Sequence, residues 1–423
     1  MTFPKKLVLR MLEGLKGGSL ELVCPNETYN FGLAEAVPET SLRTVIAVHD
    51  ERFFERALYD GDIGLGESYM QGEWSSPDLV AVVRLAIRNL GRLEHGNRLF
   101  SLLSRFANIV QHRLRGNTIA GSRKNIHHHY DLGNEFYKLF LDPSMAYSCA
   151  YFELEDDSLT QAQVQKFDRI CRKLRLSPED HLLEIGTGWG GFAVHAATRY
   201  GCRITTTTIS REQYDFAAAW FSEMGLNHGP HPQVRLCLED YRRLQGKYDK
   251  IVSIEMFEAV GLKQYDTYFR TCDRLLEPHG TMLLQTISMN EHTFPSYIRS
   301  CDWIQKYIFP GAELASITEI QGSLTRCTGI SLFDAENIGS HYAQTLKLWR
   351  TAFLDHLGEV RALGFDEIFV RMWDYYFAYC EGAFRERHIG DFQLLLMKKL
   401  HSAPLMDEPW RSETAGEAEY RQL

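Results

Sequence analysis

A chain of 423 residues with 46 Lys+Arg against 55 Asp+Glu, net charge -9, is too long for one core and too acidic to favour nucleic acid. Its 44% hydrophobic and 24% charged residues exclude a largely disordered or collagen-like chain. No run of about 18 apolar residues occurs, which argues against a transmembrane helix, and the charged first segment does not read as a secretory signal.

In chain order, the first 75 residues mix short apolar runs with glycine. GDIGLGESYMQGEW (61–74), with four glycines and two aromatics, predicts a tight loop or turn system rather than a regular element. LVAVVRLAIRNL (79–90) predicts a hydrophobic helix. Between Arg92 and Lys124 seven Lys/Arg stand against one acid, Glu94, and Leu99, Leu102, Leu103, Phe106, Ile109 and Val110 recur at helical spacing. Such a basic amphipathic stretch suits a membrane surface, its apolar side in the acyl boundary and its arginines on lipid phosphate. The alternative is a linker helix packed on its own protein. From about residue 160, HLLEIG (181–186), RITTTTI (203–209), VRLCL (234–238), DKIVSIE (249–255) and GTMLLQTI (280–287) alternate with helical stretches, the pattern of a parallel α/β sheet. Residues 342–400 read as mostly helical, and the polar end of the chain as a frayed tail. The expected organisation is an amino-terminal domain (1–91), a basic linker (92–124), a catalytic domain (125–401) and a flexible tail (402–423).

The nine cysteines are scattered, odd in number and form no CxxC, which reads as free thiols in a reducing compartment. His127, His128 and His129 are adjacent and cannot share one face of a helix or strand, so no metal site is predicted.

LEIGTGWGGFAVHAA (183–197) places a strand, then Gly186, Gly188, Gly190 and Gly191, then a helix. Glycines let the backbone approach a ligand, and a helix N-terminus favours an anionic group. Three features favour S-adenosylmethionine over a dinucleotide. Glu184 precedes the first glycine and suits an ammonium group. The next strand ends in TTTIS rather than in a ribose-binding acid, leaving Thr208, Ser210 and Gln213 for the ribose. Asp240 and Tyr241 follow the third strand, where an adenine amine would find an acceptor and a ring.

NIHHHYDLGNEFYKLFLDPSMAYSCAYF (125–152), LEIGTGWGG, TISREQ, LEDYRRL, VSIEMFEAVG, KYIFPG (306–311) and YCEGAFR (379–385) together resemble the cyclopropane-fatty-acyl-phospholipid synthases and mycolic acid methyltransferases. GDIGLGESYMQGEW resembles the amino-terminal domain of the long bacterial synthases. The resemblance implies a class I S-adenosylmethionine methyltransferase sheet, Rossmann-like, with a smaller α+β amino-terminal lipid-engaging domain. It implies methyl transfer to the double bond of unsaturated membrane phospholipids by a cytoplasmic enzyme held peripherally at the inner face of the membrane. Long bacterial forms are often homodimers, and the sequence neither supports nor opposes that state here.

Carried over residue by residue, the cofactor contacts are Tyr147, Ser148, Gly186, Gly188, Gly190, Thr208, Gln213, Asp240 and Tyr241, with Glu184 beside them. The family holds a bicarbonate ion at its reaction centre. Its ligands correspond to the backbones of Cys149 and Ile287 and the side chains of Glu258 and Tyr342, and Cys380 matches the family's active-site cysteine. One position departs: a family histidine that helps hold bicarbonate is Gln285, which can form hydrogen bonds but cannot carry a proton near neutral pH. This weakens the bicarbonate expectation and puts the product in question. Glu255 stands where many relatives have a small residue, with no role assigned.

An alkene that takes a methyl group becomes a carbocation. Loss of a proton from the new methyl closes a cyclopropane ring, the default expectation, whereas loss from a neighbouring carbon leaves a methyl-branched or methylene chain. Such a site must exclude water, stabilise positive charge and supply one base. Tyr375, Tyr376, Phe377 and Tyr379 offer an aromatic wall, or are simply core residues. Cys380 reads as a soft lining rather than a nucleophile, because no step of this chemistry needs one. A non-catalytic lipid- or cofactor-binding protein is the competing reading from another class.

Overall fold

The computed structural model describes residues 1–32, 42–90 and 132–401. The basic stretch at 92–124, the His127–His129 triplet and the tail at 402–423 lie outside the described residues. The chain forms two compact units, each discontinuous in sequence: 1–141 with 287–316 and 338–391, and 142–286 with 317–337 and 392–423.

In the first unit, a four-stranded sheet has the order β2-β1-β3-β4, formed by β1 (Gly18–Val23), β2 (Thr28–Phe31), β3 (Leu42–Val48) and β4 (Trp74–Ser75). Alternate residues of LRTVIAV in β3 are buried, as a half-buried strand requires. The helix Leu79–Arg88 starts where the Asp78 carboxylate accepts from the Ala81 N–H at 2.8 Å. It packs against the long helix Glu367–Arg385, and Gly382 permits the approach, since a Cβ there would stand 2.7 Å from Val83.

The loop expected at 61–74 is largely a helix, Gly61–Met70. Its glycines serve close packing more than turning. A Cβ on Gly64 would meet the Arg56 carbonyl oxygen at 2.1 Å, and one on Gly66 would meet the Trp303 ring at 2.4 Å. The sequence signal, clustered glycine, is the same for both uses.

The second unit carries the seven-stranded sheet, order β10-β11-β9-β8-β5-β6-β7. Its strands are β5 (His181–Ile185), β6 (Arg203–Thr208), β7 (Val234–Leu238), β8 (Tyr248–Ile254), β9 (Leu276–Met289), β10 (Ile330–Asn337) and β11 (Ile389–Lys398). β7-β6-β5-β8-β9 are parallel neighbours, and β10 runs antiparallel to β11. Leu182, Leu183, Ile204, Val252 and Leu283 are buried from the helices on the sheet faces, which is why these strands read as continuous apolar or β-branched runs. The helix Leu159–Leu174 is opened by a reciprocal capping box between Ser158 and Gln161.

The helical expectation for 342–400 holds for Gly339–Asp355, Leu357–Ala362 and Glu367–Arg385 and fails after them, where β11 begins. The run DFQLLLMK has no period that separates a buried strand from a buried helix, so its length and its antiparallel partner decide it.

Candidate active site

Parallel strands bring their carboxyl ends to one edge. The strand order reverses at β5, which has β6 on one side and β8 on the other, and such reversals open a crevice at that edge. Residues from five strands gather there: the glycine turn after β5, Thr208 ending β6, Asp240 after β7, Glu255 and Glu258 after β8, and Gln285 with Thr286 in β9.

The glycine turn is left-handed at Gly186 (φ 100°), Gly188 (φ 53°) and Gly190 (φ 100°), and leads into the helix Gly191–Tyr200. A Cβ on Gly188 would meet nothing within 4 Å, whereas one on Gly190 would stand 2.8 Å from the Phe221 ring. Gly188 thus borders open space, and Gly190 seats the turn on the helix Arg211–Glu223.

Glu184, expected beside the cofactor's ammonium group, lies in β5 just before the glycine turn. Its carboxyl is buried and accepts from the Thr206 hydroxyl at 2.5 Å, and Thr206 in turn bonds the Thr187 hydroxyl at 2.7 Å. Burial pushes this carboxyl up to about 8, against the weaker opposing effects of Thr206 and Lys166, so near neutral pH it is largely a neutral acid. The chain Glu184–Thr206–Thr187 supports the glycine turn from beneath. Thr208 and Gln213 bond each other at 2.9 Å. Asp240 is buried, and although burial opposes its ionisation, the hydrogen bonds and charge of Arg242 hold its carboxyl below the ordinary range. Tyr241 packs edge-on to Tyr268.

The segment with Tyr147, Ser148 and Cys149 is fastened by the helix Leu159–Leu174. Lys166 Nζ donates to Ser148 Oγ at 2.7 Å, and Gln163 Nε2 donates to the Ser148 carbonyl at 3.0 Å. Lys166 is fully buried and was not singled out in the sequence, because an amphipathic helix gives no sign of which lysine turns inward.

Two carboxylates sit just beyond β8. Glu258, 9% exposed, lies in the short 3-10 turn Phe257–Ala259 and accepts from the Thr286 hydroxyl at 3.0 Å. Glu255 Oε1 accepts from the Cys149 backbone N–H at 2.8 Å and from Gln285 Nε2 at 2.9 Å. Gln285, fully buried, is oriented by Gln393, whose Nε2 donates to Gln285 Oε1 at 3.1 Å.

The other expected residues belong to the first unit. Tyr342 is buried and stacks on Phe384 with centroids 4.6 Å apart. The Ile287 carbonyl accepts from the Ala315 N–H at 3.0 Å. Cys380 is half-buried, and burial, then the Asp302 charge, pushes its thiol far up, which suits an inert lining. The aromatic wall divides. Tyr375 packs on Trp303, Phe377 on Phe140 and Phe353, and Tyr376 on Phe309, while only Tyr379 of the four is less than fully buried. Consecutive helix residues point around the axis, so three of these rings are core.

The sheet, reversed at β5 where the glycine turn lies and ending in β11 between β9 and its antiparallel partner β10, is that of a class I S-adenosylmethionine-dependent methyltransferase. Residues 118–394 match the mycolic acid cyclopropane synthetase family model, and the chain belongs to that family. Tuberculostearic acid methyltransferase UfaA1 of Mycobacterium tuberculosis (strain ATCC 25618 / H37Rv) is 35% identical over 381 residues, 88% of this chain and 87% of the relative. Cyclopropane-fatty-acyl-phospholipid synthase of Escherichia coli (strain K12) is 38% identical over 366 residues, 84% of this chain and 87% of the relative. Mycolic acid cyclopropane synthase CmaA1, solved with SAH and CTAB, superposes with a TM-score of 0.59 at 32% identity, covering 65% of this chain and 98% of that one. The family performs S-adenosylmethionine-dependent cyclopropane or methyl transfer to lipid acyl chains.

The open space at Gly188 and the adjoining helix N-terminus fit an S-adenosylmethionine carrying its amino-acid moiety over the turn. Bicarbonate does not fit the donor set. The Cys149 N–H expected to hold it is bonded to Glu255, and Gln285 donates to the same oxygen. An anion sharing that N–H would stand about 4 Å from a carboxylate, a repulsion of about 4 kcal/mol at an effective dielectric of about 20.

Proposed function

We propose that this methyltransferase acts on the double bond of unsaturated membrane phospholipid acyl chains, engaging the membrane peripherally from its inner face, with the cyclopropane ring as product. The observation that carries this reading is the pair of carboxylates, Glu255 and Glu258, tied to β9 on the same sheet edge as the glycine turn. The donor's methyl transfer leaves a thioether and a product that must lose a proton, so a fixed base on the donor's edge of the sheet is what ring formation needs. The two relatives, a tuberculostearic acid methyltransferase and a cyclopropane-fatty-acyl-phospholipid synthase, support a lipid acyl chain as acceptor.

In this reading Gly186, Gly188 and Gly190 cradle the donor, with Tyr147, Ser148, Thr208, Gln213, Asp240 and Tyr241 around it. S-adenosylmethionine, when bound, supplies an electrophilic methyl group to the alkene. Lys166 and Gln163 fix the Ser148–Cys149 backbone, and Thr286 orients Glu258. A second reading, a methyl-branched or methylene product, is favoured by Gln285, because replacing a titratable ring by an amide changes where a proton is taken.

The test is expression in a bacterial host that makes unsaturated phospholipids but lacks an enzyme of this family. Acyl chains gaining one CH2 and resisting ozone are expected. A chain that gains CH2 and is cleaved by ozone replaces the ring with the second reading, and no gain at all refutes both.

A further inference from the structure

We propose that the Glu255 carboxylate takes the place of an external bicarbonate, making the proton acceptor of this site part of the chain. The inference rests on the proposed lipid alkene reaction and deepens it.

Glu255 is the first residue after β8, and its N–H donates to the Gln285 carbonyl at 2.9 Å, so the two strands fix its position. Its φ is 47°, in the left-handed region where glycine is the ordinary occupant. A glutamate held there accepts backbone strain that a side chain with no task does not explain. The side chain is held as firmly as the backbone. Cys149 N–H and Gln285 Nε2 both donate to Oε1. Gln393 donates to Gln285 Oε1 and thereby turns the Gln285 amide nitrogen towards Glu255.

The two unusual residues form one device. Glutamine at 285 cannot titrate, but it can donate to a carboxylate. A carboxylate at 255 can titrate, and it fills the N–H on which an external anion would rest. Proton-accepting capacity has moved from a bound ion to the side chain across the strand pair. Gln285 and Gln393 are positioning residues in this scheme, and Glu255 is the base. After the methyl adds, the C–H bond of the new methyl breaks, its electron pair forms the closing C–C bond of the ring, and the proton passes to the Glu255 carboxylate. It leaves to water before the next turnover. In the second reading the C–H bond that breaks is on a carbon next to the cation, its electron pair forms a C=C bond, and the proton passes to the same carboxylate.

The experiment uses the full chain as wild type, Glu255→Gln and Glu255→Gly, all checked by thermal melting. Glycine relieves the φ and vacates the Cys149 N–H, whereas glutamine keeps the site filled without a base. One arm follows line broadening of 13C-labelled bicarbonate by NMR without lipid or donor. Wild type and Glu255→Gln are expected to show no binding, and Glu255→Gly saturable binding. The other arm measures labelled-methyl incorporation into unsaturated phospholipid vesicles in argon-purged buffer, with and without added bicarbonate. Wild type should change less than about twofold. Both variants should lose about a hundredfold, which corresponds to ~3 kcal/mol of barrier, and only Glu255→Gly should recover, by about tenfold or more, with bicarbonate. Bicarbonate binding to wild type, or a loss of about tenfold in its activity on depletion that bicarbonate restores, overturns the proposal. If no protein labels lipid under any condition, the lipid reaction fails, and the binding arm still decides who occupies the anion site.

Discussion

Replacing Gly188 and Gly190 one at a time separates folding from donor binding within one turn. At Gly190 an alanine keeps an unfavourable φ of 100° and sets its Cβ 2.8 Å and 3.0 Å from two Phe221 ring atoms and 3.3 Å from the Ala217 Cβ. The backbone term is ~1–2 kcal/mol and the overpacking term ~1–3 kcal/mol, so Gly190→Ala costs about 2–5 kcal/mol. At roughly 2–4 °C per kcal/mol for a unit of this size, the melting temperature falls by about 10 °C. At Gly188 the φ is 53° and no atom stands within 4 Å of the Cβ, so only about 1 kcal/mol of backbone cost applies and melting shifts by ~4 °C at most. The added methyl nevertheless fills the space the donor must enter. Gly188→Ala is therefore expected to weaken S-adenosylhomocysteine binding about 30-fold, ~2 kcal/mol, in isothermal titration calorimetry. A Gly188→Ala protein that binds as tightly as wild type, or a Gly190→Ala protein that melts like wild type, refutes the assignment of the turn.

Glu258→Gln removes a carboxylate while keeping the Thr286 contact, and methyl incorporation should drop more than about a hundredfold, ~3 kcal/mol; near-normal rates would relocate the charge-bearing centre. Burial raises the Glu184 carboxyl from 4.5 to about 8, so between those values the folded chain holds a proton that the unfolded chain has released. Its contribution to stability is present below about pH 4.5 and is lost as pH rises towards 8, and the stability difference between wild type and Glu184→Gln should shrink by a few kcal/mol across that window. Denaturant titrations that show a constant difference contradict this burial. If the basic stretch from Arg92 to Lys124 meets anionic lipid, co-sedimentation with anionic vesicles should weaken steadily from about 0.05 to about 0.5 M salt, and salt-independent binding would leave the packed-linker reading.

The strands β5 to β9 could be read directly, because HLLEIG, RITTTTI, VRLCL, DKIVSIE and GTMLLQTI are apolar or β-branched runs cut by turn residues. The glycine turn was readable for the same reason: left-handed φ at Gly186, Gly188 and Gly190 demands that residue type. The helix Gly61–Met70 was not, since glycine used for close packing against Trp303 looks like glycine used for turning. The end of the sheet escaped too, because β10 and β11 declare themselves only by pairing with each other. Gln285 stood out as a departure, but what it serves did not. Glu255 and Gln285 are thirty positions apart, and only the parallel register Ile254↔Gln285 puts the amide beside the carboxylate. For Glu184 the sequence offered only a ligand's role, because nothing in it shows that Thr206 stands against the carboxyl.

The most direct measurement of the central claim is labelled-methyl transfer to vesicles of one phospholipid headgroup carrying either monounsaturated or fully saturated chains. Label is predicted in the acyl chains of the unsaturated vesicles alone. Equal labelling of saturated vesicles, label confined to the headgroup, or none in either would contradict it.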